Sequence, residues 1–250
     1  MHGPDYMKHS THAAMGPSPH QQGQPPPPAA WLIDPAAPRV GLTAPDRLAV
    51  PPIDLREAVE GRRSVRRYGP GPLSLDELAW LLWATQGVQR VIERAEVDQV
   101  LRTVPSAGAR HPFETLLLAR RIEGLAPDLY QYVAIDHELA RIGGGDAIGP
   151  RMAELCMGQQ FTADAPMVFI WVAVAARSAW RYHERAWRYM HLDAGHVCQN
   201  LYLAAESVGA GCCAIAKFDD ERLNEALGLD GAERFVIYMA TLGKKTDTES

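Results

Sequence analysis

The apolar positions between residues 54 and 243 follow two rhythms. Helical spacing comes first. In "DLREAVEGRRS" (54–64), Leu55, Ala58 and Val59 form a short stripe behind Asp54, a suitable N-cap with Glu57 three residues on. "SLDELAWLLWATQG" (74–87) predicts a second helix, opened by a Ser74–Glu77 capping box and stopped at Gly87. Continuous apolar runs follow. "FETLLLAR" (113–120), "LYQYVAI" (129–135), the buried core of "APMVFIWVAVAA" (166–175) and "RFVIYMATLG" (234–243) predict strands, and "AIAKF" a short strand or extended turn. Helices are expected over 149–161, from about Glu184 to Val208, and over 219–229 behind a cap at Asp219. In the longest, Met190, Ala194, Val197, Leu201, Ala204 and Val208 step alternately by four and three residues. That stripe suits a core face or a helix–helix seam. Helices first, then strands and helices mixed, predict an α+β fold with a mixed sheet wrapped by helices.

The rest of the chain has another character. Residues 1–30 are rich in Pro, Gln, His and Gly and end in "PPPPAA", and 31–52 stay Pro-rich. Such composition cannot bury a core, so 1–52 reads as a mobile or draped arm, partly disordered. A single domain is expected over 53–245 and a tail over 246–250. The net charge of −5 disfavours nucleic acid as a partner. No apolar run reaches membrane-spanning length. Cys156, Cys198, Cys212 and Cys213 form no C-x-x-C pair and pair with no histidines at zinc spacing, and beyond the N-terminal arm no H-x-x-x-H pair occurs, so no metal site is expected. With no signal peptide in view, reduced thiols in a cytoplasm are the default reading.

Against that acidic total, "GRRSVRRYGPGPLS" (61–74) places four arginines around one serine. A local cluster of this kind fits a small anion better than a polyanion. No G-x-G-x-x-G, P-loop or G-x-S-x-G motif accompanies it, which removes support for Rossmann dehydrogenases, nucleotide kinases and α/β-hydrolases. The paired Asp219 and Asp220 are explained by capping a helix.

Dispersed segments in a set order carry more. "RRSVRRY", "PSAGARHPFE", "YHERAWRYMHLDAGHVCQNLYLAAESVGAGCC", "FDDERLNEALGLDG" and "TLGKK" succeed one another along 54–243. Together they resemble the nitroreductase superfamily of FMN-dependent oxidoreductases, and more narrowly its SagB-type branch, which includes azoline-oxidising peptide dehydrogenases. "KHS" (8–10) is similar to the start of that branch. The resemblance implies that Arg62, Ser64 and Arg66, with Arg63 nearby, embrace the FMN phosphate and ribityl chain. Guanidinium forks pair well with such a dianion. Arg67 and Tyr68 are expected as bystanders. Lys244, followed by Lys245, would add charge after the last strand. Pro105, Ser106, Ala107 and Gly108 would lie along the isoalloxazine, where glycine permits close backbone approach. Ala214 and Ile215 would present a backbone N–H to flavin N5. Arg181 and Tyr182 match the positions where the azoline dehydrogenases carry a Lys-Tyr pair. His111, Tyr182, His183, Tyr189 and His196 are polar candidates for the flavin face. A homodimer with FMN near its interface is implied, with NAD(P)H or another electron donor and a small-molecule or peptide substrate. Azoline-to-azole oxidation in a peptide-modifying complex, and a non-catalytic flavin-binding partner role, are the alternatives.

Overall fold

In "APMVFIWVAVAA" both faces of the strand are apolar, and both are covered. The computed structural model describes residues 3–27, 33–93 and 99–246; the end of the proline run and the last four residues lie outside the described residues. In it, β7 (Met167–Val174) is an inner strand, between β4 and β9, of a seven-stranded sheet ordered β1-β6-β5-β4-β7-β9-β8. The neighbours are β1 (Arg39–Gly41), β4 (Phe113–Ala119), β5 (Asp128–Val133), β6 (Glu138–Arg141), β8 (Ala210–Ile215) and β9 (Arg234–Lys244). A separate hairpin pairs β2 (Val88–Ile92) with β3 (Gln99–Arg102). Because side chains alternate across a strand, Phe169 and Trp171 face one core while Val168, Ile170 and Val172 face the other.

The first core is closed by α3 (Leu75–Gln86) and α8 (Ala186–Ser207), the second by short helices α4 (Gly145–Ile148), α5 (Met152–Leu155), α6 (Phe161–Asp164) and α9 (Asp220–Ala226). This is the expected α+β class. The ladders differ from the expected mixed sheet: all are antiparallel, and parallel pairing among the described residues is confined to bridges such as Ser64↔Cys212.

Local signals set several boundaries. Ser74 accepts the Glu77 N–H while Glu77 accepts the Ser74 N–H, and Gly87 ends α3. Asp54 caps α2 (Leu55–Gly61) and Asp219 caps α9. Other expectations fail for physical reasons. Of the α2 stripe only Ala58 is buried, with Leu55 68% and Val59 54% exposed. The helix expected over 149–161 breaks after α5, where Met157 and Gly158 take φ of 55° and 83°. The long helix begins later than expected, because α7 (Ala175–Tyr182) and a 3-10 turn at His183–Arg185 precede it. All six residues of its apolar stripe lie in the first core, so they form no seam with another chain.

The proline-rich arm is anchored over its described part. Arg185 and Arg188 donate to the carbonyl and hydroxyl of Ser10, just past α1 (Gly3–His9). Trp180 Nε1 donates to the Gln24 carbonyl at 2.8 Å, and the His20 N–H to the Trp180 carbonyl.

Candidate functional site

The segment after α2 is extended. It crosses the end of β8 through the Ser64↔Cys212 bridge, with the Val65 N–H on the Cys212 carbonyl. In extended backbone alternate residues share a face. Val65 is buried beneath Gly211, where an added Cβ would stand 2.5 Å from the Val65 Cβ. Arg62, Ser64 and Arg66 therefore lie on the other face.

Three contacts place that face. The Ser64 and Tyr202 hydroxyls are 2.9 Å apart. The Arg62 guanidinium sits 5.3 Å from the Tyr202 ring centroid, and that of Arg66 5.8 Å from the Phe161 centroid. Neither guanidinium has a carboxylate partner among the described residues, so both are free to meet an external anion. Arg63 is turned back onto the Glu60 and Arg62 carbonyls. Arg67 is exposed, and Tyr68 packs inward with its hydroxyl on Val65 and Thr241. Burial raises the Tyr68 and Tyr202 phenols, which stay protonated and able to donate.

Two groups transferred by resemblance, the Ala214 N–H and the Lys244 ammonium, already have partners. The Ala214 N–H donates to the Tyr202 hydroxyl at 2.8 Å, which takes up the group expected to face a flavin nitrogen. Ile215 is buried in the second core. Lys244 donates to Glu77 and to the Val208 carbonyl, because β9 ends beside the capped start of α3. Lys245 pairs with Glu206.

A second group of residues gathers around the 105–112 loop. Asp193, 3% exposed on α8, accepts the Ser106 hydroxyl at 2.6 Å and the Ala107 N–H. Burial raises its carboxyl, against those hydrogen bonds. The Ser106 hydroxyl in turn accepts the His111 N–H at 2.9 Å. Gly108 has φ of 56° and lies under Tyr182: a Cβ there would stand 2.3 Å from the tyrosine hydroxyl and 3.4 Å from the Arg181 side chain. The loop and the Arg181–Tyr182 pair are thus in contact. Ala109, His111 and His183 are left-handed without being glycine, a strain that packing must offset. Pro105 is exposed at the loop's start. Tyr182 meets Tyr189 edge-on at 4.8 Å, and Arg110 lies over Trp180. Burial, and after it the charge of neighbouring Arg102, hold the His111 imidazole down at about 3, so it is neutral. His196 is exposed one turn beyond Asp193.

The two groups do not merge within one chain. Asp193 and Tyr202 anchor them on the same helix, nine residues or about 13.5 Å apart.

A family model described as the nitroreductase family matches residues 59–244. The chain belongs to the nitroreductase family. Members of this family are oxidoreductases. Its curated relatives include MJ1384 of Methanocaldococcus jannaschii, whose name assigns it to the nitroreductases. That protein is 34% identical over 195 residues, covering 78% of this chain and 93% of the relative. The trifolitoxin-processing protein TfxB of Rhizobium leguminosarum bv. trifolii is 30% identical over 172 residues, 64% of this chain and 44% of that protein. Among solved structures, one from Anabaena variabilis named for the nitroreductases is 28% identical with a TM-score of 0.66, covering 85% of this chain and 42% of that one. Another, from Desulfovibrio desulfuricans, was solved in complex with FMN; it has a TM-score of 0.55 at 18% identity and covers 80% and 91% of the two chains. Among the described residues no helix is long and apolar enough to cross a membrane, and no cluster could hold a metal ion.

Proposed function

We propose that the protein is an FMN-dependent oxidoreductase of the SagB-type branch. The observation that carries the reading is the shared face of Arg62, Ser64 and Arg66, with two guanidiniums that meet no carboxylate among the described residues. A flavin phosphate fits there, since paired guanidiniums match a dianion in charge and geometry. FMN supplies hydride or single-electron transfer when bound. The chain's own residues do the rest. Arg62 and Arg66 hold the phosphate. The Ser64 hydroxyl, kept in place by Tyr202, lines the ribityl side. The Asp193–Ser106 clamp sets the loop that would support the flavin ring system, and Gly108 lets Tyr182 close over that loop.

The substrate side is read from Tyr182 and Arg181. Arg181 stands where azoline dehydrogenases carry lysine. Arginine stays protonated in proteins, so it cannot remove a substrate proton. It can hold an anionic group. We infer reduction of quinones or nitroaromatics by NAD(P)H as the activity, with azoline oxidation weak or absent. The alternative of peptide processing has specific support in the similarity to TfxB, whose name states the processing of trifolitoxin.

The two readings separate in one experiment. The yellow protein is mixed with NADPH or NADH without oxygen, then with a quinone, and bleaching and return of the colour are followed. In parallel, a thiazoline-containing peptide is offered under oxygen and weighed by mass spectrometry. Bleaching and reoxidation without peptide conversion is the expected result. Rapid loss of two hydrogens from the peptide would replace the reading with azole formation.

A further inference from the structure

Behind the second residue group, where β4 begins, a cavity of 160 Å³ opens between the β2–β3 hairpin and the end of β5. Its apolar wall comes from Val88, Val100, Phe113 and Tyr132, and its polar wall from Arg102, Glu114 and Thr115 with Gln86 and Gln131. Much of this polar wall is already committed. Arg102 donates to Gln86 Oε1 at 2.6 Å, Gln131 to Glu114 Oε2 at 3.0 Å, and Arg177 from behind the wall to Glu114 Oε1.

What is left over is positive and donating. Among the described residues Arg177 pairs with Glu114, and the Arg102 guanidinium feels the charges of both, two cations beside one carboxylate. Neighbouring His111 is neutral, and Tyr132 stays protonated, so neither alters that balance. Arg102 and Thr115 both line the cavity, and among the described residues Arg102 Nε and Thr115 Oγ1 are buried without a hydrogen-bond partner, as are Nε and Nη1 of Arg177. Thr115 is only 2% exposed. Buried donors of this kind are costly when unmet, and a surplus buried charge more so. An anion satisfies both at once. Because the opposite wall is aliphatic and aromatic, the anion that fits best has an apolar body.

We propose that this cavity binds a small organic carboxylate, with its carboxylate on Arg102 and Thr115 and its apolar body against Val100 and Phe113. The site is separate from the flavin reading and does not depend on it. It stands behind the 105–112 loop, since Arg102, which lines the cavity, lies beside His111.

The test is calorimetric titration of the purified full chain with sodium benzoate and sodium butyrate, against sodium chloride and phosphate at matched ionic strength. Saturable binding of a carboxylate at one per chain is expected. Arg102→Met should weaken it at least about tenfold, and the near-isosteric Thr115→Val about 2- to 10-fold. Circular dichroism of the variants separates lost binding from lost fold, and Thr115→Val decides the matter where Arg102→Met does not fold. No saturation by either carboxylate would overturn the proposal. So would equal saturation by chloride or phosphate, or unchanged affinity in Thr115→Val.

Discussion

Arg62, Ser64 and Arg66 share a face because the backbone that carries them is extended and pinned to β8. One arginine can be removed without disturbing that pinning. Arg62→Ala should lose a charge-assisted contact of roughly 1.5–3 kcal/mol and weaken FMN binding about 10- to 150-fold, as read by fluorescence titration. Arg67→Ala, exposed and outside that face, should change little. The arginine spacing was legible in the sequence, but the partners that position the site were not. Tyr202 and Asp193 reach residues 138 and 87 positions away, and nothing in one sequence announces such pairs. A signal did exist for Asp193. It lies three residues after Met190 on the buried stripe, and an acid on an apolar face asks for a partner. His111 supplies a test by pH. Its imidazole is held at about 3, against 6.5 when free. As pH falls through that window, the unfolded chain takes up a proton that the folded chain refuses, so stability is lost. Denaturant unfolding at about pH 7 and about pH 5 should show a larger loss for the wild type than for His111→Gln. Equal losses would contradict the burial of a neutral histidine.

Among the elements, those with caps or uniform apolar runs were legible and the irregular ones were not. The Ser74–Glu77 box fixed the start of α3, and β7 was plain from its length and composition. Ser74→Ala should cost about 1 kcal/mol in thermal or chemical unfolding, with FMN affinity unchanged. By contrast β2, β3 and β6 have too little apolar alternation to show, and α7 buries Arg177 and Ser178, which inverts the usual pattern. The broken helix at Met157 could not be foreseen, because a left-handed methionine carries no sequence signature. Where β8 meets the arginine segment, Gly211 is fixed by packing. Gly211→Ala would drive Val65 away and with it the Ser64–Tyr202 contact, so FMN affinity should fall even where the protein remains folded. A crystal structure showing the segment unmoved in that variant would contradict this.

At the scale of the whole molecule, one chain presents two incomplete groups on a common helix and leaves an apolar surface open. Leu55 and Val59 on α2 stand exposed beside a cavity lined by Trp80, Trp83 and Leu203, and Leu192 is 60% exposed further along α8. This surface, rather than the buried stripe of α8, suits the homodimer that the resemblance implies. Sedimentation equilibrium should give a dimer at micromolar concentration, and Leu55→Asp with Val59→Asp should shift it toward monomer and lower FMN occupancy together. A fully flavin-loaded wild-type monomer would contradict that arrangement. The most direct check on the central claim needs no variant. The purified chain is denatured, and any released chromophore is identified by chromatography against FMN and FAD. A yellow protein that releases FMN, and is restored by added FMN after stripping, is the predicted result. A colourless protein that takes up no FMN would contradict the reading of Arg62, Ser64 and Arg66 as a flavin-phosphate site.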